Sequence, residues 1–187
     1  MTQYVAFLGS INVGGNRLMM EDLRAALRYE DFEDVETVIA SGNVLFRHEE
    51  RPTPGLSQKI AFIMREEFDI NTVVVVRSRE EVLAAIAENP FRGENDDKFV
   101  HVQWLERQPS PEEFADLIDS FVGPNGTGRG GERMAAGTGA LHIDYGESVG
   151  ESKLTAAFIE RKLSTRGTAR NLRSLQRIAD KMDKSDG

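Results

Sequence analysis

Glycines and asparagines follow the first apolar segment of the chain. The stretch Ser10–Asn16 comes directly after the apolar run Tyr4–Leu8 and leads into a segment with helical spacing. A strand that ends in a glycine loop and opens a helix leaves backbone amides unpaired at the positive end of the helix dipole, which favours a bound anion. A plain strand-to-helix turn would use the same residue types. We expect an anion site at the asparagines and glycines of this stretch, Asn12, Gly14, Gly15 and Asn16.

A second loop, Ser41–Asn43, forms a tight hairpin signal between two short predicted strands. The predicted element order is β-α-β-β-α-β, in which the first and second strands run parallel with the third between them. The end of the first strand and this hairpin then lie at the same end of the sheet. We expect the hairpin to share one phosphate or carboxylate site with the glycine loop through Ser41, Gly42 and Asn43. The hairpin alone is also a common turn without a ligand.

A further group of candidate residues lies in the basic C-terminal part. Nine basic and three acidic residues lie between Lys153 and Lys184, so this segment carries +6 and the rest of the chain −14. Arg173, Arg177 and Lys181 recur every four residues on one face of the last predicted helix, which favours a solvated face or one that pairs with the acidic part of the chain. The functional alternative is a phosphate bound by Lys153, Arg170 and Asn171.

Catalytic constellations are missing from the sequence. The three histidines, His48, His101 and His142, lie in or beside predicted strands and share no metal-ligand spacing. Ser10 and Ser41 have no identifiable base, so no nucleophile is assigned. We predict no metal and no cofactor, and the sequence does not decide whether the protein is an enzyme.

Apolar periodicity predicts the elements that position these residues. In the first half we expect strands over 4–10, 35–39, 44–46 and 72–77 and helices over 18–29 and around 56–64. A linking helix begins at its cap, Ser78, and runs through Ala87. In the second half we expect strands over 99–105, 132–136 and 140–145, helices over 111–122, 152–164 and 171–183, and a glycine-rich loop over 123–131 that does not pack.

The predicted fold class is therefore α+β, with two ferredoxin-like (split βαβ) halves in tandem and an extra C-terminal helix. We expect the first half to cover residues 1–77, a linking helix and loop to cover 78–95, and the second half with its closing helix to cover 96–187.

Composition excludes several classes of protein. The chain has 187 residues, a net charge of −8 and no cysteine, so disulfides and thiolate metal sites are excluded. No apolar run approaches the ~20 residues that a membrane helix needs. No leader peptide precedes the first strand, so a cytoplasmic location is expected. The negative charge argues against binding of nucleic acid or anionic membrane.

Short motifs along the whole chain carry a resemblance to a known family. The motifs are Tyr4-Val5-Ala6, Ile11-Asn12-Val13-Gly14-Gly15-Asn16, Met20 with Leu23-Arg24, Ser41-Gly42-Asn43-Val44, Asn89-Pro90-Phe91, Ser152-Lys153-Leu154 and Thr168-Ala169-Arg170-Asn171. In these motifs the chain resembles the uncharacterised family called domain of unknown function 1697. The resemblance implies a tandem α/β architecture and brings no established activity. The chain departs from the family pattern at Gly9-Ser10, where Arg-Gly is common, and at Leu172-Arg173-Ser174, where Trp-Asn-Thr is usual.

Three functions are compatible with these observations. The first hypothesis is binding of a small anionic, phosphorylated or carboxylated ligand at the glycine and asparagine loops. The second is binding of RNA or single-stranded nucleic acid, for which Tyr4 and Phe46 would have to be exposed on the sheet. The third is an interaction module whose sheet edges form a homodimer.

Overall fold

A computed structural model of the protein describes residues 1–11, 18–39, 42–49 and 53–184, with the backbone alone at 183 and 184. The chain divides into two compact units. The first unit comprises Met1–Val82 together with Arg177–Gly187, and the second comprises Leu83–Gln176.

The first unit contains one four-stranded antiparallel sheet and two helices. The elements in chain order are β1 (Thr2–Leu8), α1 (Met20–Tyr29), β2 (Glu33–Thr37), β3 (Asn43–His48), α2 (Thr53–Phe68) and β4 (Val74–Ser78). The strand order is β2-β3-β1-β4, and β1 pairs antiparallel with both β3 and β4. This is the split arrangement predicted from the element order.

Alternation along β1 directs one face of this sheet into a core. Tyr4, Ala6 and Leu8 are buried in one apolar cluster with side chains of both helices, including Leu23 of α1 and Ile60 of α2. Alternate residues of a strand point to opposite faces of the sheet, and helices with an apolar stripe cover this face. The core of this unit therefore lies between the sheet and its two helices. Val5 and Phe7, on the opposite face of β1, are also buried.

The second unit repeats the arrangement after the linking helix α3 (Arg79–Glu88). Its elements are β5 (Val100–Leu105), α4 (Pro111–Phe121), β6 (Arg133–Ala136), β7 (Ala140–Asp144), α5 (Ala156–Leu163) and β8 (Gly167–Asn171), and α6 (Leu172–Lys184) follows. The strand order β6-β7-β5-β8 matches that of the first sheet position by position. The fold class predicted from the sequence, two α+β halves in tandem with a closing helix, is confirmed.

Strand β8 is the element that the sequence pattern does not predict. Its residues pair with β5 from His101↔Asn171 to Leu105↔Gly167, so it occupies an edge of the sheet. Only Thr168 of its five residues is fully buried. An edge strand held by backbone hydrogen bonds needs no alternating apolar residues, and hydrophobic periodicity therefore does not reveal it.

The prediction that the glycine-rich segment 123–131 does not pack is wrong at Gly128 and Gly130, although most of the segment is exposed. Gly130 N donates to the buried Glu132 carboxylate at 2.9 Å, and Ser152 Oγ donates to the same group at 2.6 Å. A Cβ added at Gly128 would lie 2.5 Å from Glu132 Oε2 and would overlap the Phe121 ring. These glycines are required because the chain passes too close to a carboxylate and an aromatic ring for side chains.

Gly167 offers a direct test of the second sheet. A Cβ at this position would lie 2.5 Å from the Trp104 carbonyl oxygen and 2.8 Å from Gln103 Nε2. Because the backbone of a paired strand cannot move aside, Gly167→Ala is expected to lower the free energy of unfolding by ~1–3 kcal/mol. Urea denaturation measures this, with Gly150→Ala as the matched control because a Cβ there meets nothing within 4 Å. Equal stability of the two variants would contradict the packing of β8.

Candidate functional site

The end of β1 lies between two other segments of the first sheet. Leu8 N donates to Gly42 O at 2.8 Å, and Gly9 N donates to Val73 O at 2.8 Å. The β2–β3 hairpin and the segment that leads into β4 therefore meet the end of β1, as the split topology predicts. The glycine-loop residues Asn12, Gly14, Gly15 and Asn16, and also Ser41 of the hairpin, lie outside the described residues, and their place in a site stays a prediction.

Asn43 holds the hairpin together from inside. Its side chain is buried, and Nδ2 donates to Val38 O at 3.4 Å, while its backbone oxygen accepts from Val38 N at 3.0 Å. Gly42 has φ of +99°, a conformation that L side chains rarely adopt. Both residues therefore have a clear structural role in shaping this end of the sheet.

Ile39, at the start of the same hairpin, has a strained backbone. Its φ is +66°, and its side chain is 43% exposed. The left-handed region is disfavoured for L residues by roughly 1–2 kcal/mol and is a genuine outlier for a β-branched one. Such strain persists where surrounding structure enforces it, and it concentrates at binding sites.

A groove with a volume of about 400 Å³ lies beside this hairpin within the first unit. Its lining residues are Thr37, Val38, Ile39, Arg177, Asp180 and Lys181. The groove therefore joins the end of β2 to one face of α6.

The two cations of the groove differ in their surroundings. Lys181 Nζ pairs with Glu36 Oε1 at 2.7 Å. The Arg177 side chain is exposed and makes neither a hydrogen bond nor an ion pair with any part of the chain that the structure describes. Arg177 is consequently the cation of this groove that is available for an anion.

The other candidate residues lie in the second unit. Asn171 caps α6, because its Oδ1 accepts from Ser174 N at 2.8 Å. Lys153 is exposed in the loop before α5. Arg170 Nη1 donates to Thr168 Oγ1 and to Ala169 O, each at 2.8 Å, and burial lowers its pKa to about 10. Arg170 and Asn171 are thus adjacent in β8, and Lys153 lies in a separate segment.

Arg170 has a counterpart in the first unit that the sequence did not single out. Arg77 lies opposite Val5 in β4, as Arg170 lies opposite Val102 in β8. Each arginine donates Nη1 to the carbonyl of the preceding residue at 2.8 Å. Burial also lowers the pKa of Arg77. Each is followed by the residue that caps the next helix, so the repeated halves share this arrangement of strand, arginine and cap.

Two of the motifs behind the family resemblance have visible structural roles. Asn89 Oδ1 accepts from Phe91 N at 2.9 Å, and the buried Phe91 ring lies 4.8 Å from the Arg133 guanidinium. Ser152 binds Glu132, as described above, and also accepts from Leu154 N at 3.1 Å. These contacts account for both motifs without a ligand.

The aromatic side chains that nucleic-acid binding would require are unavailable. Tyr4 and Phe46 are each 1% exposed, and their rings stack in the core with centroids 5.6 Å apart. Bases stack on exposed rings, so this sheet face cannot serve as such a platform.

In the second unit, the buried His142 side chain pairs with Glu88, whose side chain is 33% exposed. His142 Nε2 lies 2.9 Å from Glu88 Oε1, and Thr138 donates to the same carboxylate from its N–H and its hydroxyl. His142 Nδ1 is buried and has no hydrogen-bond partner within the described residues. Burial lowers the pKa of His142, against the opposing effect of Glu88. Burial raises the pKa of Glu88, but the hydrogen bonds from Thr138 and His142 outweigh it and lower the net value.

These shifts predict a pH-dependent stability. The folded state favours neutral His142, so its contribution to stability is present above the unfolded pKa of 6.5 and is lost as the pH falls below it. The pKa of Glu88 is lowered in the folded state, so its contribution to stability is lost only as the pH falls below 4.5. His142→Gln keeps a donor toward Glu88, and we expect it to reduce the loss of unfolding free energy between pH 7 and 5. Urea denaturation across this range measures how steeply the unfolding free energy falls with pH. Part of this fall is expected to remain in the variant, because burial also lowers the pKa of His101. An unchanged slope would contradict the prediction.

No group of three or more histidine or acidic side chains that could hold a metal ion occurs in the described ranges. Within the same ranges, no helix is both long and apolar enough to span a bilayer.

Comparison with known proteins places this architecture in a family. Among curated proteins, none matches the chain significantly. The chain is similar to the solved structure of the conserved bacterial protein SP0830 from Streptococcus pneumoniae, with 20% identity and a TM-score of 0.74 over 98% of this chain and 99% of that one. At this identity the likeness concerns the fold alone. The profile of the family described as protein of unknown function (DUF1697) matches residues 1–131, and the chain therefore belongs to the DUF1697 family.

Proposed function

We propose that the protein binds a small anionic ligand at the end of the first sheet where β1 ends and the β2–β3 hairpin turns. The observation that carries the proposal is the groove beside this hairpin, which contains the exposed Arg177 guanidinium without an acidic partner in the described structure. An arginine presents a planar fork of donors that fits phosphate and carboxylate oxygens, and it stays charged at any working pH.

The local charge pattern supports an anion at this position. Lys181, one turn further along α6, is already paired with Glu36, so its charge is largely compensated. Arg177 has no such ion pair in the described structure, although the Asp180 carboxylate lines the same groove and reduces the positive field there.

The glycine loop is the second proposed part of the site. It follows β1, whose last residue contacts the hairpin through Gly42. In this proposal its backbone amides bind the anion, and Asn12 orients it. Asn43 contributes by fixing the shape of the hairpin, because its amide group already donates to Val38 O.

Arg177→Gln tests the cationic part of the site. With inorganic phosphate as the probe, we expect an affinity at least tenfold weaker than that of the unmodified protein, because a charge-assisted hydrogen bond contributes ~1.5–3 kcal/mol. Isothermal titration calorimetry measures the affinity, and the unfolding temperature is expected to stay unchanged. Arg161→Gln in α5 is the control, since it removes one exposed arginine from the second unit. Equal weakening in both variants would indicate a general charge effect and would contradict the site.

Gly14→Ala combined with Gly15→Ala tests the loop. Side chains at these positions obstruct close approach of an anion to backbone amides. We expect the double variant to remain folded and to lose the rise in unfolding temperature that phosphate gives the unmodified protein. Differential scanning calorimetry with and without phosphate measures both properties. A folded double variant that phosphate still stabilises fully would exclude the loop from the site.

A further inference from the structure

Ile39 differs from the other residues that have a left-handed backbone. Apart from glycines, the described residues with positive φ are Asp31, Asp34, Asp69, Ser164 and Ile39. Four of these five are small and polar, and aspartate tolerates this conformation through hydrogen bonds with its own backbone. Ile39 has no such compensation. The chain therefore keeps a large apolar side chain at the one position where its backbone is least suited to it.

The location of Ile39 indicates what the side chain does. It lines the groove together with Val38, while Arg177 lines the same groove from α6. Ile39 is 43% exposed, so it contributes little to the core that would justify the strain. A residue with a strained backbone that lines a groove is typical of a ligand contact.

The size of the groove is also informative. A volume of about 400 Å³ falls within the ~300–1,000 Å³ that is usual for small-molecule sites. Such sites combine apolar walls with a few polar groups that fix the orientation of the ligand. Here the apolar wall is the strained start of the hairpin, and the polar groups are the Thr37 hydroxyl and the side chains of Arg177, Asp180 and Lys181.

We infer that the ligand is an organic phosphate with a short apolar substituent rather than a bare inorganic ion. This inference rests on the proposed function and extends it. The phosphate group binds Arg177, and the apolar substituent lies against Ile39 and Val38. Ile39 is then a specificity-determining residue, and its strained conformation presents its side chain to the ligand.

A series of alkyl phosphates tests this inference. Inorganic phosphate, methyl phosphate, n-propyl phosphate and n-butyl phosphate are titrated into the protein by calorimetry. Affinity is expected to rise by about threefold for each added methylene group, which is close to what burial of a methylene contributes. Ile39→Asn keeps a residue that tolerates positive φ and removes the apolar contact. The variant is expected to bind inorganic phosphate normally, to lose the dependence on chain length, and to unfold at the same or a higher temperature.

The outcomes separate this inference from the proposed function. If no phosphate binds at all, the proposed function fails. If inorganic phosphate binds and the alkyl chain adds nothing, the proposed function stands and the inference is overturned. Retention of the chain-length dependence in Ile39→Asn also overturns it. Should this variant not fold, Ile39→Ala provides the same measurement. Asp31→Asn, at another of the left-handed positions with φ of +64°, is the control expected to keep the full dependence.

Discussion

The central position of β1 is the constraint on which the first unit depends. Because β1 pairs with β3 on one side and β4 on the other, its backbone is fully engaged, and its last residue is held between a hairpin and an incoming strand. The connection that leaves β1 has to begin at this end of the sheet. The position of a candidate site is therefore set by backbone pairing, before any side chain with a recognition role is considered. In the proposed function, side chains such as Arg177 and Ile39 would then determine what the site binds.

The two halves of the chain share their strand order and their arrangement of arginine and helix cap rather than their residue identities. Both sheets have the same strand order, and both last strands carry a half-buried arginine directly before a helix cap. The caps themselves differ, since Ser78 uses a capping box with Glu81 and Asn171 accepts from Ser174 alone. A buried arginine beside a strand end satisfies a carbonyl and carries a charge, so its burial has to be compensated by such hydrogen bonds.

Much of the fold could be predicted from the sequence, because most elements carry an apolar pattern. β1, α2 and β4 have buried residues at the expected spacing, and the helix predicted over 111–122 corresponds to α4, which begins after the capping box at Ser110. β8 escaped prediction because its stability comes from pairing rather than from burial of its own side chains. Packing of the glycine-rich segment was missed because it depends on Glu132 and Ser152, which are 20 residues apart.

The left-handed backbone of Ile39 could not be predicted either, since isoleucine is not a residue that turn preferences favour at such a position. Arg177 was recognised as part of a basic face, but its place in a groove depends on a contact between distant parts of the chain.

The division of the chain into units has a consequence for the order in which the protein forms during synthesis. The first unit consists of Met1–Val82 and a stretch that begins at Arg177, so the whole second unit is translated between its two parts. The β2–β3 hairpin emerges early, and the α6 face of the groove emerges almost 140 residues later. A nascent chain can build the sheet of the first unit and the entire second unit while the groove still lacks Arg177. In the proposed function, full affinity at this groove would consequently require translation to pass α6, and a fragment that stops before α6 would bind the ligand more weakly.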